Sequence, residues 1–146
     1  FDWVHTVDRL KIAQRLSDQR PQDLSDLNVC IQVNVDGGET KAGVAPLDAL
    51  ELALAVAKLP RLQLRGLMSI PDASPDFAAQ KAVHSAARAL FDQIRKALVE
   101  ACIPGAEAFD TLSLGMTADL DAAIQAGSTL VRVGTGVFGG RTYPPA

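Results

Sequence analysis

Cysteine is scarce in this sequence. Cys30 and Cys102 are the only two among 146 residues, and neither stands in a CxxC spacing or beside a histidine. Neither a disulfide framework nor a zinc site is indicated, and a reducing, cytoplasmic setting is expected. Basic runs are missing as well. No Lys/Arg stretch exceeds a dipeptide, and the formal charge of −3 with a pI near 5.3 leaves no general attraction for a phosphate backbone or an anionic membrane. Nucleic acid is therefore not an expected partner. No apolar run approaches the ~18 residues of a membrane span. The opening Phe1-Asp2-Trp3 resembles neither a signal peptide nor an initiator methionine and reads as a cut end. What the chain does contain, 48% hydrophobic and 21% charged residues, suits one globular domain and argues against disorder.

Apolar runs rich in β-branched residues occur at Trp3–Val7, Leu27–Val35, Leu62–Ile70, Phe109–Leu114 and Thr129–Val133, with amphipathic stretches between most of them. Such alternation predicts βαβ units and a parallel sheet. Pro46 can open a helix burying Leu47, Leu50, Leu54 and Ala57, closed by Leu59-Pro60. Ser74-Pro75-Asp76 opens the longest helix, whose stripe Phe77, His84, Ala87, Phe91, Ile94 and Leu98 follows three-four spacing and ends before Pro104-Gly105. A shorter helix from about Thr117 to Gln125 presents Leu120 and Ile124 and stops at Gly127.

Within Leu27–Val35 the aliphatic residues alternate with Asn28, Cys30, Gln32 and Asn34. The aliphatic face should meet helices, and Cys30, Gln32 and Asn34 should point into a barrel, with Asn34 at its mouth. An open five-stranded parallel sheet would expose apolar faces and two edges. The expected fold is therefore α/β, an incomplete (β/α)8 TIM barrel with about five of eight strands, since complete barrels take roughly 250 residues.

In such barrels a phosphate commonly sits at the loops after the last two strands, near a short extra helix. Gly134-Thr135-Gly136 occupies that place, and the hydroxyls of Ser113 and Thr135 can add donors. On its own a Gly/Ser/Thr cluster is more often a simple turn. Arg132 interrupts an apolar strand, where a charge must find partners. Two readings stand: a buried ion pair with Asp110 or Asp119, or a guanidinium directed into the barrel toward a ligand.

The segments His5-Thr6-Val7-Asp8-Arg9, Gln32-Val33-Asn34-Val35 continuing to Glu39-Thr40-Lys41-Ala42-Gly43, Arg65-Gly66-Leu67-Met68-Ser69-Ile70-Pro71, Leu112-Ser113-Leu114-Gly115-Met116-Thr117-Ala118-Asp119 and Gly127-Ser128-Thr129-Leu130-Val131-Arg132-Val133-Gly134-Thr135 resemble, in order and spacing, the pyridoxal-phosphate homeostasis proteins, whose barrel is like that of alanine racemase. The resemblance covers essentially the whole chain and places it in the C-terminal part of a single pyridoxal-phosphate-binding barrel domain. It implies that Ser113 with the Gly134 and Thr135 region holds the cofactor phosphate. It implies further that Arg132 hydrogen-bonds the pyridine nitrogen, and that Met68 and Asn34 line the mouth. Thr117 stands where the family usually has serine, which keeps the hydroxyl. The family's Schiff-base lysine lies on the first barrel strand, to which nothing here corresponds. Of the five lysines, Lys11, Lys41, Lys58, Lys81 and Lys96, Lys41 alone follows a strand end, and a solvated loop role is its simpler reading.

The function so implied is binding pyridoxal 5'-phosphate and maintaining intracellular vitamin B6, with no substrate turnover and no catalytic residues. The expected partner is a small-molecule cofactor, with neither nucleic acid nor membrane, and the full-length protein is expected to be a monomer. A remnant of an amino-acid racemase or decarboxylase is the alternative. It would require the missing lysine and a second base from elsewhere, because the single tyrosine, Tyr143, lies in a Pro-rich tail. A sugar-phosphate isomerase or aldolase barrel would want a Glu/His or Lys constellation at strand ends, and His5 is the only strand histidine. A purely structural or partner-binding fragment is the third reading.

Overall fold

The computed structural model describes residues 1–37 and 42–142; Glu39, Thr40, Lys41 and Tyr143 lie outside the described residues. Four strands and five helices alternate: β1 (Trp3–Val7), α1 (Leu10–Gln19), β2 (Leu27–Gln32), α2 (Pro46–Ala57), β3 (Leu62–Met68), α3 (Phe77–Glu100), β4 (Thr111–Ser113), α4 (Leu120–Ala126) and α5 (Thr135–Phe138). The sheet order is β1-β2-β3-β4 and every pairing is parallel. Chain order equals spatial order, so successive crossovers, right-handed by the usual rule, lay all the helices on one side. That is the wall of a barrel rather than a doubly wound sheet.

The face toward the helices follows from the alternation in β2. Leu27, Val29, Ile31 and Val33 join Leu62, Leu64 and Leu67 of β3, Leu112 of β4 and Leu114 just beyond it in one core with α2 and α3. Cys30 and Met68 are buried yet stand outside that cluster, as residues of the opposite face must. Helix α3 carries the largest share. His84, Ala87, Phe91, Ile94 and Leu98 are buried, and Phe91 stacks on Phe109 with centroids 4.8 Å apart. Asp76 caps its start by accepting the Ala78 N–H.

Two helices bury a different set from the one expected. In α2 the buried residues are Ala49, Leu52, Ala53 and Val56; the expected Leu50, Leu54 and Ala57 pack half-buried against the core, and Leu47 is 96% exposed. In α4 they are Ala122 and Ala123, with Ile124 54% exposed. Alanines let these helices approach their neighbours closely, and a helix apolar on several sides offers no single stripe to read.

The fifth apolar run, Thr129–Val133, forms no strand; it contributes one isolated bridge, Ser113 to Leu130. The chain does run beside β4, but hydroxyls replace rungs of the ladder. Leu112 N–H donates to Thr129 Oγ1 at 2.7 Å, and the Ser128 hydroxyl lies within 3.1 Å of the carbonyls of Leu112, Leu114 and Leu130. Side chains offering the backbone such alternatives interrupt regular pairing. The expected stripe of α3 is buried from His84 to Leu98, but Phe77 in its first turn, before the helix reaches the sheet, is 44% exposed. The other elements lie where expected, with β2, β3 and β4 shorter than their apolar runs. Gly127 ends α4 in the left-handed region at φ 105°.

Candidate functional site at the barrel mouth

The face of the sheet away from the helices is polar, and its layers can be built from the strand starts upward. At the lower end Arg65 donates from Nη2 to both carboxylate oxygens of Asp110 at 3.0 Å, from Nη1 to Asn28 Oδ1 and from Nε to the Ala108 carbonyl. Its guanidinium lies 4.7 Å from the Trp3 ring centroid. Burial alone would raise the Asp110 carboxyl, but the Thr111 hydroxyl and Arg65 hold it below the usual range. Above this layer sits Cys30, fully buried. Burial pushes its thiol up to about 12, against the pull of Arg65, so at neutral pH it is an inert thiol.

Arg132 crowns this face at the strand tips. Its Nη1 donates to the carbonyl and hydroxyl oxygens of Ser113, and its Nη2 to the Ser69 carbonyl at 2.9 Å. Its partners are thus oxygens at the ends of β3 and β4. Asp110 is taken by Arg65 and Asp119 by His84, so the ion-pair reading of Arg132 gives way to the lumen-facing one. Burial lowers the guanidinium pKa, with Asp119 and Cys30 opposing; an arginine keeps its charge near neutral pH. That charge, second to burial, holds His5 of β1 below 6.5.

A cavity of about 340 Å³ opens beside Arg132, lined also by Ser69, Ile70, Pro71, Met116 and Asp119. The Ser69 hydroxyl is buried without a partner among the described residues. Asp119 organises the far wall: Oδ1 accepts the Met116 N–H at 2.7 Å and Oδ2 lies 2.7 Å from His84 Nε2. Burial would raise this carboxyl, but the Met116 and His84 bonds outweigh it and hold it below 3.8. The Gly136 N–H of α5 donates to Thr117 Oγ1 at 3.0 Å, which ties the short helix to the same loop.

Of the residues singled out in the sequence, Arg132 and Ser113 are in direct contact. Ser113 is fully buried beneath the guanidinium, and Met68 is buried at the end of β3. Gly134 and Thr135 are exposed at the start of α5, next to the Thr117 loop. Asn34 is half-buried beyond β2, with its N–H on the Val44 carbonyl. Ser69, Asp119 and His84 carry more of the site's geometry than the sequence reading assigned them. The signals for them were a serine in a strand-end motif, a histidine in an apolar helical stripe and an aspartate read as a possible partner of Arg132 rather than of His84. The described lysines, Lys11, Lys58, Lys81 and Lys96, are all exposed on or at the ends of helices. Among the described residues no cluster could hold a metal ion, and no helix is long and apolar enough to cross a membrane.

Parallel strands in chain order, helices on one side and a charged mouth at the strand tips define a segment of a (β/α)8 wall. The chain matches the alanine racemase, N-terminal domain family over residues 1–142 and belongs to it. The pyridoxal phosphate homeostasis protein of Pseudomonas aeruginosa is 52% identical over 143 residues, covering 98% of this chain and 57% of that protein. The protein of the same name from Escherichia coli is 48% identical over 143 residues, covering 98% and 58%. PipY of Synechococcus elongatus, in its structure with PLP bound, superposes with a TM-score of 0.80 at 30% identity, covering 95% of this chain and 61% of PipY. The chain thus spans well under two thirds of the relatives it matches.

Proposed function

We propose that this chain belongs to a pyridoxal 5'-phosphate-binding barrel that keeps the cofactor available in the cytoplasm without turning over an amino-acid substrate. The observation that carries the reading is the state of Arg132. Of the five N–H donors of a guanidinium, three are spent on Ser69 and Ser113, which among the described residues leaves two for a ligand acceptor. The group is thereby pre-oriented at the mouth beside a cavity of about 340 Å³, at the small end of the roughly 300–1,000 Å³ usual for small-molecule sites. The names of the Pseudomonas and Escherichia relatives and the PLP-bound PipY structure point to the same ligand.

In this reading Arg132 faces the ring nitrogen, and the exposed backbone and hydroxyl of Gly134 and Thr135, with Ser113 behind, serve the phosphate. Met68 and Asn34 shape the mouth. Bound pyridoxal phosphate supplies an aldehyde and an electron-withdrawing ring. Because a guanidinium donates but does not accept, it leaves the ring nitrogen unprotonated and the ring a weaker electron sink. Cys30, beneath Arg132, agrees with a holding role, because burial keeps it a neutral, unreactive thiol. We place the chain as the later strands of the barrel. The β1 edge and the edge beyond the 129–133 segment are both unpaired among the described residues, where further strands would close the ring.

The test is titration of the intact protein with pyridoxal phosphate, followed by the absorbance of the aldehyde. Arg132→Met and Thr135→Val should each weaken binding about tenfold or more, the loss expected for one charge-assisted hydrogen bond. Unchanged affinity in both variants would remove these residues from the site. Enzyme-level interconversion of alanine enantiomers by the intact protein would defeat the non-catalytic reading.

A further inference from the structure

His84 is 0% exposed in the middle of the buried stripe of α3, where an aliphatic residue would fill the space without desolvating an imidazole. Its ring has a defined polar task. Nδ1 is buried without a partner among the described residues, and Asp119, an acceptor when ionised, lies 2.7 Å from Nε2. These two facts place a proton on Nε2, donating to Asp119 Oδ2. The other Asp119 oxygen holds the Met116 N–H at 2.7 Å. One residue further, the Thr117 hydroxyl accepts the Gly136 N–H at 3.0 Å. A Cβ at Gly136 would come within 2.9 Å of Thr117 Cγ2, so loop and α5 are packed closely together.

We infer that His84 is a positioning residue for the mouth. From α3 it fixes the 115–119 loop and, through Thr117, the start of α5 in the arrangement that receives the cofactor phosphate. In that last respect the inference rests on the pyridoxal phosphate reading above. His84 touches neither ring nor phosphate. Its effect passes through Asp119 alone.

The experiment compares His84→Leu, His84→Gln and Asp119→Asn in the intact protein. Leu fills the space without a donor, Gln offers an N–H near the Nε2 position, and Asn keeps the shape while weakening the acceptor. Amide hydrogen exchange is read without ligand. Met116 should exchange about tenfold faster or more in His84→Leu, the change expected for losing a charge-assisted bond, while Val29 and Ile31 stay protected and His84→Gln restores Met116. Affinity for pyridoxal phosphate should fall by a similar factor in His84→Leu, with unphosphorylated pyridoxal unaffected. Should His84→Leu not fold, Asp119→Asn supplies the same exchange comparison. Wild-type exchange at Met116 in the folded variants, no rescue by Gln, or equal weakening of pyridoxal and its phosphate would overturn the inference. If the wild type binds no pyridoxal phosphate, the function proposed above falls, and the exchange data still decide whether His84 holds the loop.

Discussion

The wall of this molecule and its rim are stabilised by different means. In the wall, Val29, Ile31, Leu64, Phe91, Ile94 and Leu112 bury aliphatic and aromatic surface between sheet and helices, and the contacts are non-directional. At the rim the strand-end loops are held by directional bonds. Arg132 bonds Ser69 and Ser113, Asp119 bonds His84 and Met116, and Thr117 accepts the Gly136 N–H. A wall built on shape is destabilised by changes of volume. A rim built on oriented dipoles can hold a charged ligand at little reorganisation cost, because its donors are already aimed.

The largest effect that would break this contrast is at glycine. A Cβ on Gly66 of β3 would lie 1.5 Å from the Thr111 carbonyl oxygen, whereas a Cβ on Gly134 meets nothing within 4 Å. Gly66→Val should abolish cooperative folding as seen by circular dichroism, and Gly134→Ala should melt within a few degrees of the wild type. Two similar melting curves would mean that wall and rim do not differ in packing.

Next comes Phe91→Ala in the wall, expected to cost about 3–5 kcal/mol as a large buried ring removed from a packed site. A smaller loss, about 1 kcal/mol, is expected for Thr117→Val at the rim, where the hydroxyl accepts the Gly136 N–H. Urea unfolding of the two variants orders them, and the reverse order would sink the comparison.

The smallest effect is one of pH. His5 is held below 6.5 in the folded chain by burial and then by the charge of Arg132, so the unfolded chain takes up a proton more readily. Stability should be full above about pH 6.5 and decline as pH falls toward the folded value. His5→Phe should flatten that part of the profile of melting temperature against pH. The depressed carboxyls of Asp110 and Asp119 act lower, their contribution being lost as pH falls below 3.8 through their folded values. A wild-type profile that rises on acidification from pH 7 to 5 would contradict the assignment for His5.

Much of the wall was legible from period alone. The alternation from Leu27 to Val33 gives the correct two faces of β2, and the stripe from His84 to Leu98 gives the buried face of α3, since each mixes polar and apolar residues in one clear rhythm. The reading was only partly right in α2 and α4, where Leu50 and Leu54 pack against the core and Leu120 is half-buried but Leu47 and Ile124 face outward. There alanine and leucine occupy several sides, and the neighbours selected the small residues. It failed at Thr129–Val133, a strand by composition, because hydroxyls at 128 and 129 bond the β4 backbone in place of a regular ladder. For the site, Arg132 was conspicuous as a charge in an apolar run. Its partners were not, since they are carbonyl and hydroxyl oxygens contributed from 19 and 63 residues away.

The order of elements, the parallel pairing and the helix-facing side of the strands were determined by the amino-acid sequence itself, because periodicity and the handedness of crossovers are local rules. Tertiary structure alone decided that Asp119 serves His84 rather than Arg132, and that Ser113 lies beneath the guanidinium. Those pairings depend on where distant strand tips and helix α3 come together in space. A hydrogen bond a few ångströms long is set by that meeting and by no spacing along the chain.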